Sequence, residues 1–465
     1  MINTILIFPI IAAILALLIK NKKFNTSLIL IYAIVHFVIT TLLCGGFGAN
    51  SPYFAVDNTN KIFLLVLSVV FLAVSIYNCG YIRHVQAPVR RISHYSIMIL
   101  IFVLSMTGTL LSSDLGLSWV LIEATTLSSA YLIYFNRTKH SIEAAWKYVF
   151  ICSIGIAMAF VGIILLNISS GSINSLNFAE LYQNAHNFDP NWLKIAFVFM
   201  LFGFGAKMGL APVHFWLPDA HSEAPSPISA LLSATLLNSA FLVIVRVFKI
   251  MELADCTDYA RFMLLLMGFI SLFITSVFVY HIKNYKRMLA YSSIENMGIL
   301  AIGLALGPVA YFAVILHLIG HSLAKASFFL TSGNILELFQ TKRIKSVNGL
   351  MQVDGLTGKL WIGSFLAICA FPTSLLFISE FFFIKTMIVQ EKYILCGLFV
   401  LFLTIILYGI GNVILKTSFG KVSPDKVIDK TKLNALMYIP QIVMLIIVFT
   451  LGIYIPPFLS NLIGL

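Results

Sequence analysis

The chain contains the stretch Gly203-Phe-Gly-Ala-Lys-Met-Gly-Leu-Ala-Pro212, which places a lysine and a proline inside a hydrophobic segment. A second stretch, Gly363-Ser-Phe-Leu-Ala-Ile-Cys-Ala-Phe-Pro372, also ends on a proline. Proline lacks a backbone N–H, so each of these prolines frees an upstream carbonyl and interrupts a helix. A helix break at membrane depth is tolerated only inside protein or beside water. The two stretches therefore predict two broken membrane helices.

The segments around these stretches are too apolar for a soluble protein. Of the 465 residues, 60% are hydrophobic and only 10% are charged, whereas about a quarter of the residues in a soluble domain are charged. Continuous apolar runs argue against a β-barrel, whose strands alternate in short segments. We predict an all-α integral membrane protein with about fourteen transmembrane helices, since each span needs about 20 apolar residues. The predicted spans lie near residues 3–20, 27–45, 60–80, 93–112, 114–135, 143–167, 191–213, 226–250, 261–281, 287–306, 309–335, 360–385, 393–415 and 436–459.

The basic residues alternate with the helices and do not form one patch. The formal net charge of +12 therefore indicates membrane topology and gives no support to a nucleic-acid partner. By the positive-inside rule the basic loops face the cytoplasm, so we expect a bacterial or archaeal cytoplasmic (inner) membrane protein with both termini outside. Arg246, Lys249 and Arg261 run against the rule, although acidic neighbours accompany them. The basic loops contain Lys22 and Lys23; Arg83, Arg90 and Arg91; Arg137 and Lys139; Lys283, Lys286 and Arg287; Lys342, Arg343 and Lys345; and Lys416 to Lys432.

No polar stretch is long enough to fold as a soluble domain, so we expect residues 1–465 to form a single membrane domain. Two broken helices in corresponding parts of two halves indicate two inverted repeats, with the transport pathway at the breaks. An ordinary proline kink is the alternative for each break. The predicted repeats span residues 93–250 and 261–415, with flanking helices in 1–80 and 436–465.

The cysteines give no sign of a metal or redox site. Six cysteines are scattered along the chain without a C-x-x-C or mixed His/Cys spacing, so we expect no zinc and no iron–sulfur cluster. No G-x-G-x-x-G or Walker motif gives support to nucleotide binding. We expect the chain to carry no cofactor of its own.

Four ionisable side chains lie inside or beside predicted spans. A charged group in hydrocarbon is costly, so such a group faces protein or water and has a partner. A lysine that exchanges a carboxylate partner for water can release and regain a proton, because burial destabilises its charged form and pairing stabilises it. A fixed ion pair is the alternative for a lysine, and an interfacial anchor is the alternative for Glu380. His317 and His321 precede Lys325 at four-residue intervals, on one helical face. The predicted proton-translocation residues are Glu123, Lys207, Lys325 and Glu380.

Three further residues are candidates for a proton relay, together with His317 and His321. Lys147 could form a link toward the cytoplasm, although a surface pair with Glu143 four residues earlier is the default interpretation. His214 and His221 follow the first break, where a histidine can take up a proton. The alternative for both is an ordinary solvated loop histidine.

Three stretches resemble the signatures of the antiporter-like, proton-conducting membrane subunits of complex I. The first is Lys207-Met-Gly-Leu-Ala-Pro-Val-His-Phe-Trp-Leu-Pro-Asp-Ala-His-Ser-Glu-Ala-Pro225. The second is Arg287-Met-Leu-Ala-Tyr-Ser-Ser-Ile-Glu-Asn-Met-Gly298, and the third is His317-Leu-Ile-Gly-His-Ser-Leu-Ala-Lys-Ala-Ser-Phe-Phe-Leu-Thr-Ser-Gly333. The order of the motifs, the helix count and the two breaks agree with that family over nearly the whole chain.

Within this superfamily, shorter motifs resemble the hydrogenase-4 component F family, the antiporter-like membrane proteins of group 4 membrane-bound [NiFe] hydrogenases and formate hydrogenlyase-like complexes. They are Trp119-Val-Leu-Ile-Glu-Ala-Thr-Thr-Leu127, Glu143-Ala-Ala-Trp-Lys-Tyr-Val149 and Ser293-Ile-Glu-Asn-Met-Gly298. The resemblance implies partners: other membrane subunits and a hydrogenase-like redox module that holds the iron–sulfur clusters. The chain would then be a subunit of an oxidoreductase complex and would couple redox work to the movement of protons or, as the less favoured ion, sodium.

The resemblance also carries roles onto matching positions. It implies that Glu123 and Lys207 form the charged pair of the first half, that Lys325 is the buried lysine of the second half, and that Glu380 is the terminal charged position in the second broken helix.

Two positions depart from the family pattern and bear on the link between the halves. Many relatives have a lysine where this chain has Asn238, and some have a histidine where it has Ser233. Ser233 and Asn238 are therefore candidate relay residues, and we expect them to hold water between the halves or to weaken the link.

Two other functions are compatible with the same fold. One is the membrane proton-conducting subunit of an inorganic-carbon (bicarbonate) uptake system, which pairs with a large cytoplasmic zinc protein and no redox module. The other is a structural membrane scaffold whose buried charges only hold helices together. The motifs around Glu123 and Trp146 favour the redox-linked proton subunit.

Overall fold

The computed structural model describes residues 1–48, 50–171, 175–421 and 433–459. Over these ranges the chain is all-helical, and its only β-type pairings are isolated bridges such as Phe54 with Ser112. Twelve helices in the described ranges are long and apolar enough to cross a membrane. The other two predicted spans correspond to the shorter helix Ile2–Leu18 and to a broken helix that begins with Gly355–Ile368. The predicted fold class is confirmed.

The helices of the first half follow one another with short connections. A π-helical turn at Leu232–Leu236 joins α10 to α11. The helices are α1 (Ile2–Leu18), α2 (Lys22–Cys44), α3 (Asn58–His84), α4 (Val89–Leu111), α5 (Leu115–Ile133), α6 (Lys139–Ser169), α7 (Phe178–Asn184), α8 (Pro190–Met208), α9 (Trp216–Glu223), α10 (Ser226–Leu231) and α11 (Leu237–Leu253).

The second half repeats the pattern of long helices with one interruption. The predicted basic loop from Lys416 to Lys432 and the end of the flanking segment 436–465 lie partly outside the described residues. The helices are α12 (Thr257–Phe278), α13 (Tyr285–Ala305), α14 (Pro308–Phe339), α15 (Leu350–Val353), α16 (Gly355–Ile368), α17 (Leu375–Val389), α18 (Tyr393–Phe419) and α19 (Ile439–Ile453).

Both predicted helix breaks are present. α8 ends at Met208, and Gly209 follows with φ +83°, a left-handed conformation that glycine adopts without steric cost. The chain becomes helical again at Trp216, where α9 begins. In the second half α16 ends at Ile368, and the side chain of Ser374 caps the start of α17 by accepting a hydrogen bond from a backbone N–H. The predicted span 360–385 therefore covers parts of two helices, whereas the predicted span 191–213 covers α8 and the break, and α9 begins beyond it.

Burial separates central helices from peripheral ones. In α13, in α14 and in the helix from Ser226 to Leu253, 94% of the most apolar window is buried, whereas in α18 only 22% is buried. Five of the candidate functional side chains lie in these central helices, away from the lipid-facing surface: Ser233, Asn238, His317, His321 and Lys325.

Helices α6 and α8 approach each other through small residues. A Cβ atom added at Gly203 of α8 would lie 2.6 Å from the Cβ and backbone N of Ala159 and from the carbonyl oxygen of Gly155, both in α6. Small residues allow such close approach between membrane helices. The contact places Lys207, one turn after Gly203, directly against α6.

Candidate functional site

The buried lysine of the first half reaches the predicted glutamate through one hydroxyl group. Lys207 is fully buried near the end of α8. Its Nζ donates to Oγ1 of Thr126 at 2.8 Å, and that hydroxyl donates to Oε2 of Glu123 at 3.0 Å. Thr126 and Glu123 are both in α5, three residues apart. The structure thus brings Glu123 and Lys207 together with a hydroxyl between the amine and the carboxylate.

A tyrosine of α6 forms the second contact of the same amine. Lys207 Nζ donates to the hydroxyl of Tyr148 at 2.7 Å and lies 4.6 Å from the centre of that ring. The Tyr148 hydroxyl also pairs with the hydroxyl of Ser129 at 2.6 Å. The hydrogen-bond partners of Lys207 are therefore neutral groups. Sequence reasoning missed Thr126, Tyr148 and Ser129.

Glu123 lies at the edge of this network. Its Oε1 accepts from the hydroxyl of Ser153 in α6 at 3.1 Å, and its side chain is half-buried. The outer surfaces of α5 and α6 are apolar, with Leu127 64%, Trp146 69% and Phe150 64% exposed. The carboxylate therefore lies between the buried amine and a surface that lipid or a neighbouring membrane protein would cover.

A cluster of charges lies on the predicted cytoplasmic side, beyond the first break. Lys147 pairs with Glu143 at 2.5 Å, as expected for residues four apart on a helix, and also with Asp219 of α9 at 3.2 Å. Asp219 pairs in turn with Arg287 at the start of α13. Lys147 therefore does more than form a local surface pair, because its contact with Asp219 joins α6 to the broken helix.

The two histidines after the first break are buried, so the alternative of solvated loop histidines is wrong. His221 is in α9, is fully buried and stacks on Phe329 of α14 with ring centres 4.6 Å apart. His214 lies in the non-helical segment, is 2% exposed and contacts the rings of Phe215 and Tyr291. The chain folds back into the protein after the break, which the polar composition of this segment does not indicate.

The second half holds a buried column of basic side chains in α14. His317, His321 and Lys325 are all fully buried, as their four-residue spacing on one face predicts. His317 pairs through Nδ1 with the hydroxyl of Ser379 in α17 at 2.9 Å. Lys325 Nζ donates to the carbonyl oxygen of Leu289 in α13 at 2.8 Å. The column therefore connects the broken helix α16–α17 with α13.

Direct hydrogen bonds cross between the halves at the two positions that depart from the family pattern. The hydroxyl of Ser233, in the π-helical turn, pairs with the hydroxyl of Ser293 in α13 at 2.8 Å. The amide of Asn238 donates to the hydroxyl of Ser322 in α14 at 2.7 Å. Ser293 also donates to the carbonyl of Leu289, the acceptor that Lys325 uses. Direct side-chain contacts therefore join the halves at Ser233 and Asn238, and water between the halves stays a prediction.

Two glutamates border a cavity beside the second break. Glu380 of α17 is half-buried and lines a cavity of about 440 Å³ together with Cys369, Thr404 and Glu295. Glu295 of α13 was not among the predicted site residues. It lies inside the predicted span 287–306, so the criterion that selected Glu123 would have found it.

The described part of the chain contains no group of three or more His, Cys, Asp or Glu side chains that could hold a metal ion. Each cysteine is free, and Cys369 lies beside carboxylates rather than beside other thiols. The site is therefore a set of hydroxyl, amine, imidazole and carboxyl groups, which can pass protons along hydrogen bonds.

Comparisons with known proteins show the family and support the fold of this chain. A family model described as NADH:quinone oxidoreductase/Mrp antiporter, TM, matches residues 112–407. The chain is 32% identical to a Hydrogenase-4 component F homolog from Methylacidiphilum infernorum, over 97% of this chain and 96% of the relative. Its fold is similar to a chain of the membrane-bound sulfane sulfur reductase, an archaeal respiratory membrane complex, with a TM-score of 0.89, 22% identity and coverage of 99% and 96%. It is also similar to a chain of respiratory complex I from Thermus thermophilus, with a TM-score of 0.81, 21% identity and coverage of 97% for both chains.

Proposed function

Because the chain belongs to the NADH:quinone oxidoreductase/Mrp antiporter membrane family, we propose that it translocates protons as a membrane subunit of a hydrogenase-4/formate hydrogenlyase-like or complex I-like respiratory complex. The observation that carries this proposal is the contact of Lys207 with Glu123 through the Thr126 hydroxyl. A lysine kept only to hold helices together would be expected to contact its carboxylate directly.

The proposed chemistry follows from the neutral partners of Lys207. Burial destabilises a charged amine, and a nearby carboxylate stabilises it. When Glu123 is ionised, the ammonium form of Lys207 is favoured; when Glu123 is protonated, the amine can release its proton. The hydroxyls of Thr126 and Tyr148 both donate and accept hydrogen bonds, so they remain bonded to Lys207 in either state.

The proposed route crosses the protein from one broken helix to the other. Protons would enter near Lys147 and Asp219, with His214 and His221 close to the break, and would reach Lys207. Ser233 and Asn238 would connect the halves through their hydrogen bonds to α13 and α14. Lys325, with His317 and His321 on the same face, would pass the proton toward Glu380. In this proposal four residues bind and release the proton: Glu123, Lys207, Lys325 and Glu380. The other residues pass the proton between these four or hold them in position.

The proposed organisation is one membrane domain with repeats at residues 93–250 and 261–415. The element order supports it, because α5, α6 and the broken pair α8–α9 are matched by α13, α14 and the broken pair α16–α17. The proposed partners are other membrane subunits and a hydrogenase-like module with iron–sulfur clusters. The proposed location is the bacterial or archaeal cytoplasmic membrane, with both termini outside.

Co-purification tests this function first. A tagged chain solubilised in mild detergent should bring down a [NiFe] hydrogenase large subunit with iron–sulfur proteins. Recovery of one large soluble zinc protein and no redox protein would contradict the proposal and favour inorganic-carbon uptake.

Replacing Glu123 by glutamine should stop proton movement without preventing assembly. Glutamine keeps the size and hydrogen-bonding ability of the side chain, so the contacts with Thr126 and Ser153 can persist while the titratable group is lost. Loss of a proton-transfer group costs about 100-fold or more in rate. We expect inside-out vesicles driven by hydrogen to acidify at least about tenfold more slowly, with viologen-linked hydrogenase activity retained. If the chain were only a structural scaffold, Glu123→Gln would prevent assembly and would not selectively slow acidification.

Replacing Thr126 by valine should slow acidification while leaving both charged residues in place. Hydrogen bonds to charged groups contribute about 1.5–3 kcal/mol, so we expect a decrease of at least about tenfold. The matched control is Thr125→Val, because the Thr125 hydroxyl donates to the carbonyl of Ile122 in its own helix. Equal acidification rates in the Thr126→Val and Thr125→Val variants would show that the Thr126 hydroxyl does not bridge Lys207 and Glu123 during proton transfer. The measurement is dye quenching in vesicles that contain equal amounts of assembled complex.

A further inference from the structure

We propose that Glu295 carries protons between Lys325 and Glu380 and is the second-half counterpart of Glu123. This inference rests on the proposed proton-translocating function and adds a residue to its route. Three observations support the inference: the position of Glu295 in α13, the residues around it, and the cavity that it shares with Glu380.

The order of elements gives the first argument. In the first half a glutamate lies in α5, and α6 and the broken pair α8–α9 follow. In the second half Glu295 lies in α13, and α14 and the broken pair α16–α17 follow. Each glutamate is therefore in a long helix that is followed by one more long helix, then a short helix, and then the broken pair. The repeat places Glu295 where Glu123 stands in the other half.

The surroundings of Glu295 give the second argument. Its side chain is only 8% exposed, in a helix that is almost entirely buried. Lys325 of α14 and Glu380 of α17 are both close enough to interact with it electrostatically, and Glu380 lines the same cavity. A buried carboxyl group in a membrane protein is costly and marks an ion pathway by default. Glu295 is thus a buried acidic group that shares a cavity with Glu380 and has Lys325 as an electrostatic neighbour.

Lys325 and Glu295 are not in direct contact with each other. The amine of Lys325 donates to the carbonyl of Leu289, and none of the ion pairs shorter than 4.0 Å in the described ranges joins it to Glu295. A static ion pair would be expected at hydrogen-bond distance. In the first half, likewise, a hydroxyl separates Lys207 from Glu123.

The shared cavity supplies a path from Glu295 to Glu380. Both side chains line the same space of about 440 Å³, with Cys369 and Ala370 of the second break between α16 and α17. A water molecule takes about 30 Å³ of liquid volume, so the space is large enough for several. Most of the other lining side chains are apolar, Phe377 and Leu403 among them, so the polar groups that would hold water there are the two carboxyl groups and the hydroxyl of Thr404. We infer that water bound to these groups links Glu295 to Glu380.

The proposed step conserves protons and charge. A proton leaves Nζ of Lys325, which becomes a neutral amine, and binds a carboxylate oxygen of Glu295, which becomes a neutral acid. Glu295 then gives this proton to the carboxylate of Glu380 and becomes ionised again. Two nearby carboxylates favour holding one proton between them, because like charges disfavour the doubly ionised state. Glu380 is the more exposed of the two carboxyl groups and is the last carrier in the proposed step, from which the proton leaves the protein.

The test is Glu295→Gln in the intact complex, in inside-out vesicles driven by hydrogen. We expect acidification to fall at least about tenfold, while assembly and viologen-linked hydrogenase activity stay at the wild-type level. The matched control is Glu252→Gln, since Glu252 is at the end of α11 and is bonded to Tyr311. That variant should acidify vesicles at the wild-type rate.

The outcomes separate this inference from the proposed function. If Glu295→Gln acidifies normally while Glu123→Gln does not, Glu295 is no carrier and the function stands. If wild-type vesicles do not acidify, the function itself fails. If Glu295→Gln does not assemble, infrared difference spectra of the wild type and of Glu295→Asp decide. A carboxylic-acid band that changes during turnover and shifts in the aspartate variant supports the inference, and an unshifted band overturns it.

Discussion

Replacing Lys207 by methionine should abolish proton translocation while hydrogen oxidation continues. Methionine has nearly the same length and fits an apolar helix interface, but it cannot hold a proton. Within the described ranges Lys207 is the amine that the Glu123–Thr126 pair contacts. Proton-transfer groups contribute about 100- to 10,000-fold in rate, so we expect acidification of vesicles to fall by about 100-fold or more. The measurement is dye quenching against viologen-linked activity in the same preparation.

A lysine in the same helix provides the control for this variant. Lys194 lies near the start of α8, and its amine is 5.9 Å from the ring centre of Tyr259. Lys194→Met removes the same charge from the same helix at a position outside the buried network. Wild-type acidification is expected there. Normal acidification by an assembled Lys207→Met complex would show that protons take a route without this residue.

Replacing Gly203 by alanine should destabilise the protein and disturb the site without changing any group in it. The added Cβ would lie 2.6 Å from backbone atoms of α6, which no side-chain rotation relieves. Helices α6 and α8 would have to separate, and overpacking of this kind costs about 1–3 kcal/mol. Because Tyr148 is in α6 and Lys207 is in α8, the separation would lengthen their hydrogen bond. We expect a lower unfolding temperature in detergent and slower acidification.

The control is the next glycine in the same helix. A Cβ at Gly205 would meet Met267 at 3.4 Å and Leu210 at 3.6 Å, which are ordinary contacts. Alanine also has a higher helix propensity than glycine by about 1 kcal/mol. Gly205→Ala should therefore keep or slightly raise the unfolding temperature. Equal stability of the two alanine variants would contradict the close approach at Gly203.

The membrane fold could be predicted from the sequence because crossing a membrane places a simple requirement on the chain. Each span needs a long apolar run, and each break carries a proline that cannot donate to the helix ladder. The same simplicity explains why Lys207 and Lys325 were found, since a charge inside such a run is rare and costly. The family resemblance drawn from the three long motifs is confirmed by the family model and by the relative that covers nearly the whole chain.

The bridging hydroxyls could not be predicted from the sequence. Thr126 and Tyr148 are ordinary residues for a membrane helix, and nothing local separates Thr126 from Thr125 beside it. Their roles come from the angle and distance at which α5, α6 and α8 pack. The burial of His221 is a similar case, because its segment is polar and the fold alone returns it to the interior. Glu295 differs from Thr126, Tyr148 and His221, since the sequence alone shows a glutamate at this position within an apolar span.

The π-helical turn at Leu232–Leu236 lies where one helix contacts two neighbours. Ser233 in this turn contacts α13, and Asn238 just after it contacts α14. A π-helical turn closes its hydrogen bonds one residue further along the chain than an α-helical turn, so it holds one extra residue. Deleting that residue would restore a regular α-helix and leave the helix after it facing nearly the same way. Deleting a residue from the regular helix instead would rotate everything after it by about 100°. The turn is therefore the place in this helix where a change of length disturbs the contacts least.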